Sequence, residues 1–381
     1  MTAPARSRHD DQMKTAKIIL LTLAIAAFLL VPGAAQALPR TFFGIAPQTL
    51  LTDTDAAYMK AGRIGSVRWP VNWATVQPTA KGGYDWSSVD PAVAAAARSG
   101  LKVLPFLYGT PRWIAGKPTT IPIDNARARK GWVAFVKEAV KRYGPGGEFW
   151  AERAPAASGV NYLPAIRRPI PIRTWQVWNE ANFFYFAFPV STGRYARLLK
   201  LTQPAIKGAD PTARIILTGL FGNPDESGKR GMDAADFLDG LYRVPGIHRY
   251  FDAVALHPYA FHVDDLELLT EEMREVIRDN RDPSAALYIT EMGWGSQNDP
   301  NIVAFEQGIQ GQARELRGAY RYLIDNRRRL NLKGTYWFSW KDIQGACNFC
   351  DSVGLFREGE KFKPKPAWRS FVALSGGRVR P

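Results

Sequence analysis

From residue 42 onward, short runs of consecutive apolar residues alternate with longer stretches in which apolar positions recur every three to four residues. The runs fall at 42–45, 65–69, 102–107, 174–178, 214–218, 251–256, 286–290 and 334–338. Each is short for a helix and bounded by turn residues, so each reads as a buried strand. The stretches between them predict helices over 52–62, 87–99, 124–143, 193–208, 232–243, 264–280 and 301–329, with a short one after Pro366. Within 130–142, Trp132, Phe135, Val136, Ala139 and Val140 form one apolar face at the helical period. Repeated strand–helix units imply a parallel sheet. Eight of them predict an α/β fold, a single-domain (β/α)8 TIM barrel. An open doubly wound sheet is the alternative, but no nucleotide motif supports it. Gly144, Gly146 and Gly147 follow a helix, and no phosphate-loop Lys-Ser/Thr accompanies them. The Pro- and Ala-rich stretch 144–171, with Phe149, Trp150 and Tyr162, precedes the fourth strand. That places it at the face opposite the strand ends, as padding or as a distant wall.

The first 37 residues form a different pattern. A polar segment carrying Arg6, Arg8, Lys14 and Lys17 leads into an uninterrupted apolar stretch, 18–31, and then Ala35-Gln36-Ala37. That is the order of a secretion signal, with cleavage expected after Ala37. An uncleaved anchor is the alternative, although the apolar stretch is shorter than the ~20 residues of a span. The expected organisation is a signal at 1–37 and a catalytic domain at 38–381, a monomer secreted or associated with the cell envelope. Formal net charge is +15, from 50 Lys and Arg against 35 Asp and Glu. Such an excess attracts polyanions. The bases are scattered, apart from Arg327, Arg328 and Arg329 and a basic C-terminal stretch, and no nucleic-acid recognition pattern accompanies them. A solvated basic surface is the expectation, with an acidic glycan as the one polyanion in question. Cys347 and Cys350 are the only cysteines. A redox pair and half a zinc site are conceivable readings of that spacing. In an oxidising compartment, with no second pair, a local disulfide is the simplest.

In such a barrel, chemistry gathers where strands end and the following loops begin. Those ends carry Arg68 and Trp69; Tyr108, Arg112 and Trp113; Asn179 and Glu180; His257 and Tyr259; Glu291 and Trp294; and Phe338, Trp340 and Lys341. A carboxylate at the tip of a buried strand is costly without partners or a role. Two of them, Glu180 and Glu291, would share one pocket and suit glycoside hydrolysis. Glu180 is the expected general acid/base, its pKa raised by burial. Glu291 is the expected nucleophile, held ionised by Arg68 and Tyr259. Asn179 would donate to a sugar hydroxyl, and Trp294 and Trp340 would offer flat faces to a ring. His257 would contact either a sugar or the acid, or serve structurally. A lone Asn-Glu pair at a strand end is usually a turn pair; it is the joint pattern that carries chemistry. No three-ligand metal spacing is recognisable, and neither metal nor cofactor is expected.

Arg68, Asn179-Glu180, Tyr259, Glu291 and Trp340 together resemble the retaining glycoside hydrolases with (β/α)8 barrels, across nearly all of 38–381. Gly109-Thr110-Pro111 with Trp113, Trp178 to Asn182, and His257-Pro258-Tyr259 look most like family 39. Family 5 is the nearest rival, but where it usually has a histidine after strand three this chain has Tyr108 and Thr110. Many family 39 members carry a β-sandwich after the barrel, and the stretch beyond Lys365 is too short for one. The resemblance implies a retaining β-glycosidase acting on an oligo- or polysaccharide by double displacement. The alternatives are a catalytically inactive carbohydrate-binding barrel and an α-L-glycosidase of uronate-containing glycans. The long segments 70–86, 108–123 and 341–364, with Trp73, Tyr84, Trp86 and Phe349, would wall the substrate site. Arg112 and Lys341 would make its mouth basic.

Overall fold

The computed structural model describes Met1 and residues 38–151, 166–224, 230–298, 305–345, 347, 350–359 and 362–381. Residues 2–37 of the predicted signal, Tyr162 and Phe349 lie outside the described residues. Eight parallel strands close into a barrel in sequence order. They are β1 (Phe43–Ala46), β2 (Ser66–Asn72), β3 (Lys102–Tyr108), β4 (Thr174–Val177), β5 (Arg214–Phe221), β6 (Ala253–His257), β7 (Ala286–Met292) and β8 (Leu332–Phe338). β1 seals the ring against β8, with Phe43 opposite Thr335 and Ala46 opposite Phe338. Around it lie α1 (Asp53–Ala61), α2 (Asp90–Ser99), α3 (Ala126–Tyr143), α4 (Thr192–Ala209), α5 (Ala234–Tyr242), α6 (Val263–Asp279), α7 (Gly308–Asp325) and α8 (Pro366–Ser375).

Local chemistry explains the boundaries. Thr52 and Asp55 form a reciprocal capping box at the start of α1. Asn125 and Ser191 cap α3 and α4 by accepting from backbone N–H groups. α8 opens on Pro366 and stops at left-handed Gly376. β2 runs past Pro70, where the sequence suggests an end. By then β1 has finished, so the missing proline N–H faces no partner strand on that edge.

The barrel interior is filled by Leu104, Ile216, Ala253, Ala255, Ala286 and Tyr336. Gly44 on β1 leaves room for the Tyr336 ring, with which a Cβ there would collide. The segment after α3 brings Phe149 and Trp150 against Tyr143, with the Trp150 indole donating to the Tyr143 carbonyl at 2.9 Å. Those described residues pad the barrel. Trp73 and Trp86, expected near the substrate, stack instead on Phe135 of α3 and are almost wholly buried. They belong to the layer between strands and helices: Trp73 opens a short helix, Trp73–Val76, immediately after β2, and both lie past the last β2 residue, where strand alternation no longer applies. Cys347 and Cys350 form a disulfide, with Cα atoms 5.0 Å apart. No helix among the described residues is long and apolar enough to cross a membrane.

Candidate active site

β4 delivers the first carboxylate through a break in its own pleat. Gln176 points into the barrel, as alternation requires. Trp178 then takes φ of 72° and Glu180 φ of 40°, both left-handed and unusual for residues with side chains. The Trp178 ring is thereby thrown out against Trp132 of α3, and its indole donates to the Phe186 carbonyl at 2.7 Å. Asn179 and Glu180 turn toward the barrel mouth. Positive φ at two bulky residues is costly and concentrates where function holds it in place.

β7 delivers the second carboxylate, and a buried arginine joins the two. Arg68 donates to Glu291 through Nη1, to Asn179 Oδ1 through Nη2 at 2.5 Å, and to Gln176 Oε1 through Nε at 2.6 Å. Its guanidinium lies 4.0 Å from the Phe106 ring centre. The second Glu291 oxygen accepts from the Tyr259 hydroxyl at 2.8 Å. Since a guanidinium only donates, Asn179 must present its oxygen to Arg68, which leaves its amino group as the end available to a ligand.

A second chain of bonds reaches Glu180. Gln176 accepts from Arg68, so its amide nitrogen faces the Leu217 carbonyl at 3.1 Å and Thr290 Oγ1 at 3.2 Å. Thr290 therefore accepts from Gln176 and has one proton to give, and His257 Nε2 stands 2.9 Å away. When Thr290 donates, Nε2 accepts and the ring proton sits on Nδ1, 2.7 Å from Glu180 Oε1; in the other tautomer a protonated Glu180 donates to Nδ1. Gly219 makes room for this ring, since a Cβ there would come within 2.0 Å of His257 Nε2. The same glycine accepts from the Glu180 backbone N–H at 3.1 Å.

Electrostatics separates the two glutamates. Burial and the neighbouring Glu291 charge push Glu180 well above the usual carboxylate range, with Arg68 opposing. Burial also lifts Glu291, but the Arg68 charge and the bonds from Tyr259 and Arg68 pull against it. Burial, helped by Arg68, holds His257 well below its ordinary value, so it is neutral. Tyr259 is pushed well up by burial and by both glutamates and keeps its proton. One oxygen of each glutamate and a His257 nitrogen lie within 4.8 Å of one another, a spacing that a metal ion could bridge. In the structure both Glu291 oxygens and both His257 nitrogens already hold hydrogen bonds, and Arg68 supplies the compensating cation.

The remaining expected residues divide. Tyr108 lies at the end of β3, beside Phe106 and within 3.4 Å of Asn72. Trp113 is half-buried and edge-on to Trp73, its indole donating to the Gln77 carbonyl at 3.0 Å. Trp294 and Trp340 are not platforms at the mouth. Trp340 is fully buried between Phe356 and Trp368, and its indole donates to Asp55 at 2.8 Å. Trp294 packs on Trp337 and donates to the Phe261 carbonyl at 3.1 Å. The ring that β8 turns inward is Phe338, two positions on from Tyr336. Lys341 pairs with Asp55 at 2.8 Å rather than facing the mouth, while Arg112 is exposed. Gln176, Thr290 and Phe106 escape sequence reasoning, and Phe338 is placed at a strand end without a role. Only Gln176 leaves a trace, as a polar residue inside an apolar strand.

No family sequence model matches the chain, and no curated protein matches it in sequence. Solved structures do match in fold. A family 39 glycoside hydrolase from Bacteroides cellulosilyticus WH2 superposes with a TM-score of 0.60 at 18% identity, over 89% of this chain and 64% of that one, so the present chain spans less than two thirds of its length. A family 39 enzyme from Xanthomonas axonopodis pv. citri gives 0.62 at 18% identity, covering 90% and 68%. A family 39 β-xylosidase from Caulobacter crescentus gives 0.59 at 20% identity, covering 90% and 73%. At these identities the likeness is one of fold: the chain shares the (β/α)8 barrel of these enzymes.

Proposed function

We propose that this protein is a retaining β-glycosidase that hydrolyses an oligo- or polysaccharide by double displacement. The observation that carries the reading is two buried carboxylates with different partners, one bonded by Arg68 and Tyr259 and the other by His257, with an oxygen of each within 4.8 Å of the other. Retaining enzymes hold their carboxyl groups about 5–5.5 Å apart, and inverting ones about 6.5–9.5 Å to admit a water. Glu180, kept protonated by burial, gives its proton to the glycosidic oxygen as the C–O bond breaks. Glu291, oriented by Arg68 and Tyr259, attacks the anomeric carbon and forms a glycosyl ester. Glu180, now ionised, takes a proton from water, which displaces Glu291 and regenerates both groups. The Caulobacter neighbour is a β-xylosidase, and we read the bond cut here as β-linked too. We further propose that residues 1–37 act as a secretion signal, so that the enzyme meets its glycan outside the cytoplasm.

Glu291→Ala should abolish turnover, and azide should not restore the natural product. Glu180→Ala should be rescued in part by azide on a substrate with a good leaving group, yielding a glycosyl azide. An NMR time course showing the inverted anomer as first product would overturn the role assignment.

A further inference from the structure

The two sides of the mouth differ in chemistry. On the β2–β4 side stand Arg68, Asn179, Tyr108 and Asn72, a set of hydrogen-bonding groups. On the β4–β7 side runs an arc of rings. Tyr185 contacts Phe183 at 5.3 Å between centroids, and Phe183 stacks on Phe221 at 5.1 Å. Phe221 meets Tyr259 at 5.7 Å, Tyr259 meets Phe305 at 5.9 Å, and Phe305 meets Phe261 at 6.1 Å. The arc's middle is Tyr259, the residue that donates to Glu291, and its ends surface as Tyr185 at 64% and Phe261 at 56% exposed.

Single exposed aromatics are ordinary, but exposed rings continuous with a buried catalytic pair mark a ligand groove. Phe183 follows Glu180 by three residues, and its N–H donates to the Glu180 carbonyl at 2.9 Å. The arc thus begins beside the group that protonates the departing oxygen. Its polar neighbour Asn182 is consumed in bonds to the Phe221 and Met232 backbone. Four of the six rings are phenylalanine, which carries no hydroxyl or N–H to read sugar hydroxyls.

Resting on the glycosidase reading above, we propose that this arc is the leaving-group subsite and that it selects aglycones with an apolar body, an alkyl, acyl or aryl group, over a fully hydroxylated sugar. The polar β2–β4 side then holds the sugar whose bond is cut.

The test uses the whole protein and three substrates that share one sugar, chosen from a panel of β-glycosyl fluorides by turnover. These are the fluoride, the methyl glycoside and the octyl glycoside below its micellar concentration. Methoxide and octoxide are similar leaving groups and differ in the apolar chain. The wild type should favour octyl over methyl by at least about tenfold in kcat/KM, and Phe183→Ala and Tyr185→Ala should bring that ratio toward one. Fluoride, which fills no subsite, should be cleaved by both variants at the wild-type rate. Fluoride turnover with an octyl-to-methyl ratio near one would overturn the subsite and leave the glycosidase reading intact. So would a disaccharide of the same sugar cleaved better than the octyl glycoside, or equal losses on all three substrates in both variants. Failure of the wild type to turn over any fluoride would overturn the glycosidase reading and this proposal with it.

Discussion

Replacing Thr290 with valine removes one oxygen from the barrel interior and should move the pH profile of the enzyme. Thr290 Oγ1 lies 3.2 Å from the Gln176 amide and 2.9 Å from His257 Nε2. Gln176 keeps its second acceptor, the Leu217 carbonyl. His257 does not, and its Nε2 is left without a partner in a fully buried ring. Such a loss destabilises by about 1–3 kcal/mol. The larger consequence is for the proton. With Thr290 donating, Nε2 must accept, so Nδ1 carries the hydrogen and favours the ionised form of Glu180. Without it the two tautomers are no longer distinguished at Nε2, and protonated Glu180 can donate to Nδ1 instead. The bias removed is that of one hydrogen bond, about 0.5–1.5 kcal/mol net, which at about 1.36 kcal/mol per unit is roughly 0.5–1 pH unit. Glu180 must be protonated to act first, so a higher pKa carries the basic limb of kcat/KM upward. The measurement is a pH–rate profile on an unactivated glycoside, whose leaving group needs the acid. Thr290→Ser, which keeps the hydroxyl, should restore the wild-type limb. A basic limb that stays in place or moves down in an active Thr290→Val enzyme would refute Thr290 as the donor to Nε2.

Other consequences follow from the same contacts. Glu180→Gln should stabilise the fold by about 1–2 kcal/mol at neutral pH. Glu180 is raised in the folded state, so the native protein holds a proton that the unfolded chain has lost. Stability is therefore given up as pH climbs from the unfolded value of about 4.3 through the folded one. Glutamine removes that loss, and calorimetry should find the gain shrinking below about pH 4. Gly219→Ala should abolish activity while leaving a barrel-like circular dichroism spectrum, because the added Cβ displaces His257. Arg142→Met should cost about 3–5 kcal/mol in chemical denaturation, since it strands Asp90 in a buried triad with Tyr143, far from the chemistry. Cys347→Ser should cost about 2 kcal/mol or less, the disulfide closing a very small loop. Cys350→Ser should cost more, because Cys350 is itself buried against Tyr259 and Phe338.

The parts of this molecule that were legible in the sequence are those set by periodicity. Each of the eight strands and the eight longer helices falls where apolar spacing places it, to within a few residues at most ends, while the short helix Trp73–Val76 is not foreseen. The ends of those strands also identify Glu180, Glu291, Arg68, Tyr259 and His257 as neighbours, because a closed parallel barrel brings all strand tips to one rim. Where alternation fails, so does the reading. Trp340 lies beyond the last strand residue, and period two no longer governs which way it turns. It goes into the wall, with its indole bound to Asp55, and Phe338 takes the inward position. Trp178 would face inward with Gln176 if the pleat continued, but positive φ sends it outward. Lys341 cannot be read as a mouth cation without knowing that buried Asp55 waits beneath it. The Arg327 to Arg329 cluster is partly neutralised in the same way, Arg329 being bound by Glu271.

What lay furthest from the sequence is the direction of the hydrogen bonds, and that direction makes the two glutamates different. Both are glutamates, both end strands, and both are buried. The asymmetry comes from what each carboxyl meets: Glu180 feels burial and the Glu291 charge, and Glu291 is bonded by Arg68, which only donates. On one route its proton donation goes straight to Glu291 and favours the ionised form of that carboxylate against the effect of burial. On the other it passes through Gln176, Thr290 and His257 and reaches Glu180 through a neutral imidazole. A full charge stands beside Glu291, the proposed nucleophile; a neutral donor, weaker by roughly half, meets Glu180, the proposed acid. Burial and the Glu291 charge raise Glu180, while Arg68 pulls Glu291 down against its own burial. Substituting Arg68 by methionine should not merely slow the reaction but remove the difference between the carboxylates. With no cation beside it, Glu291 should rise in pKa, and the acid limb of kcat/KM should move upward. An acid limb unchanged in an active Arg68→Met enzyme would show that the charge on Glu291 is set by something else.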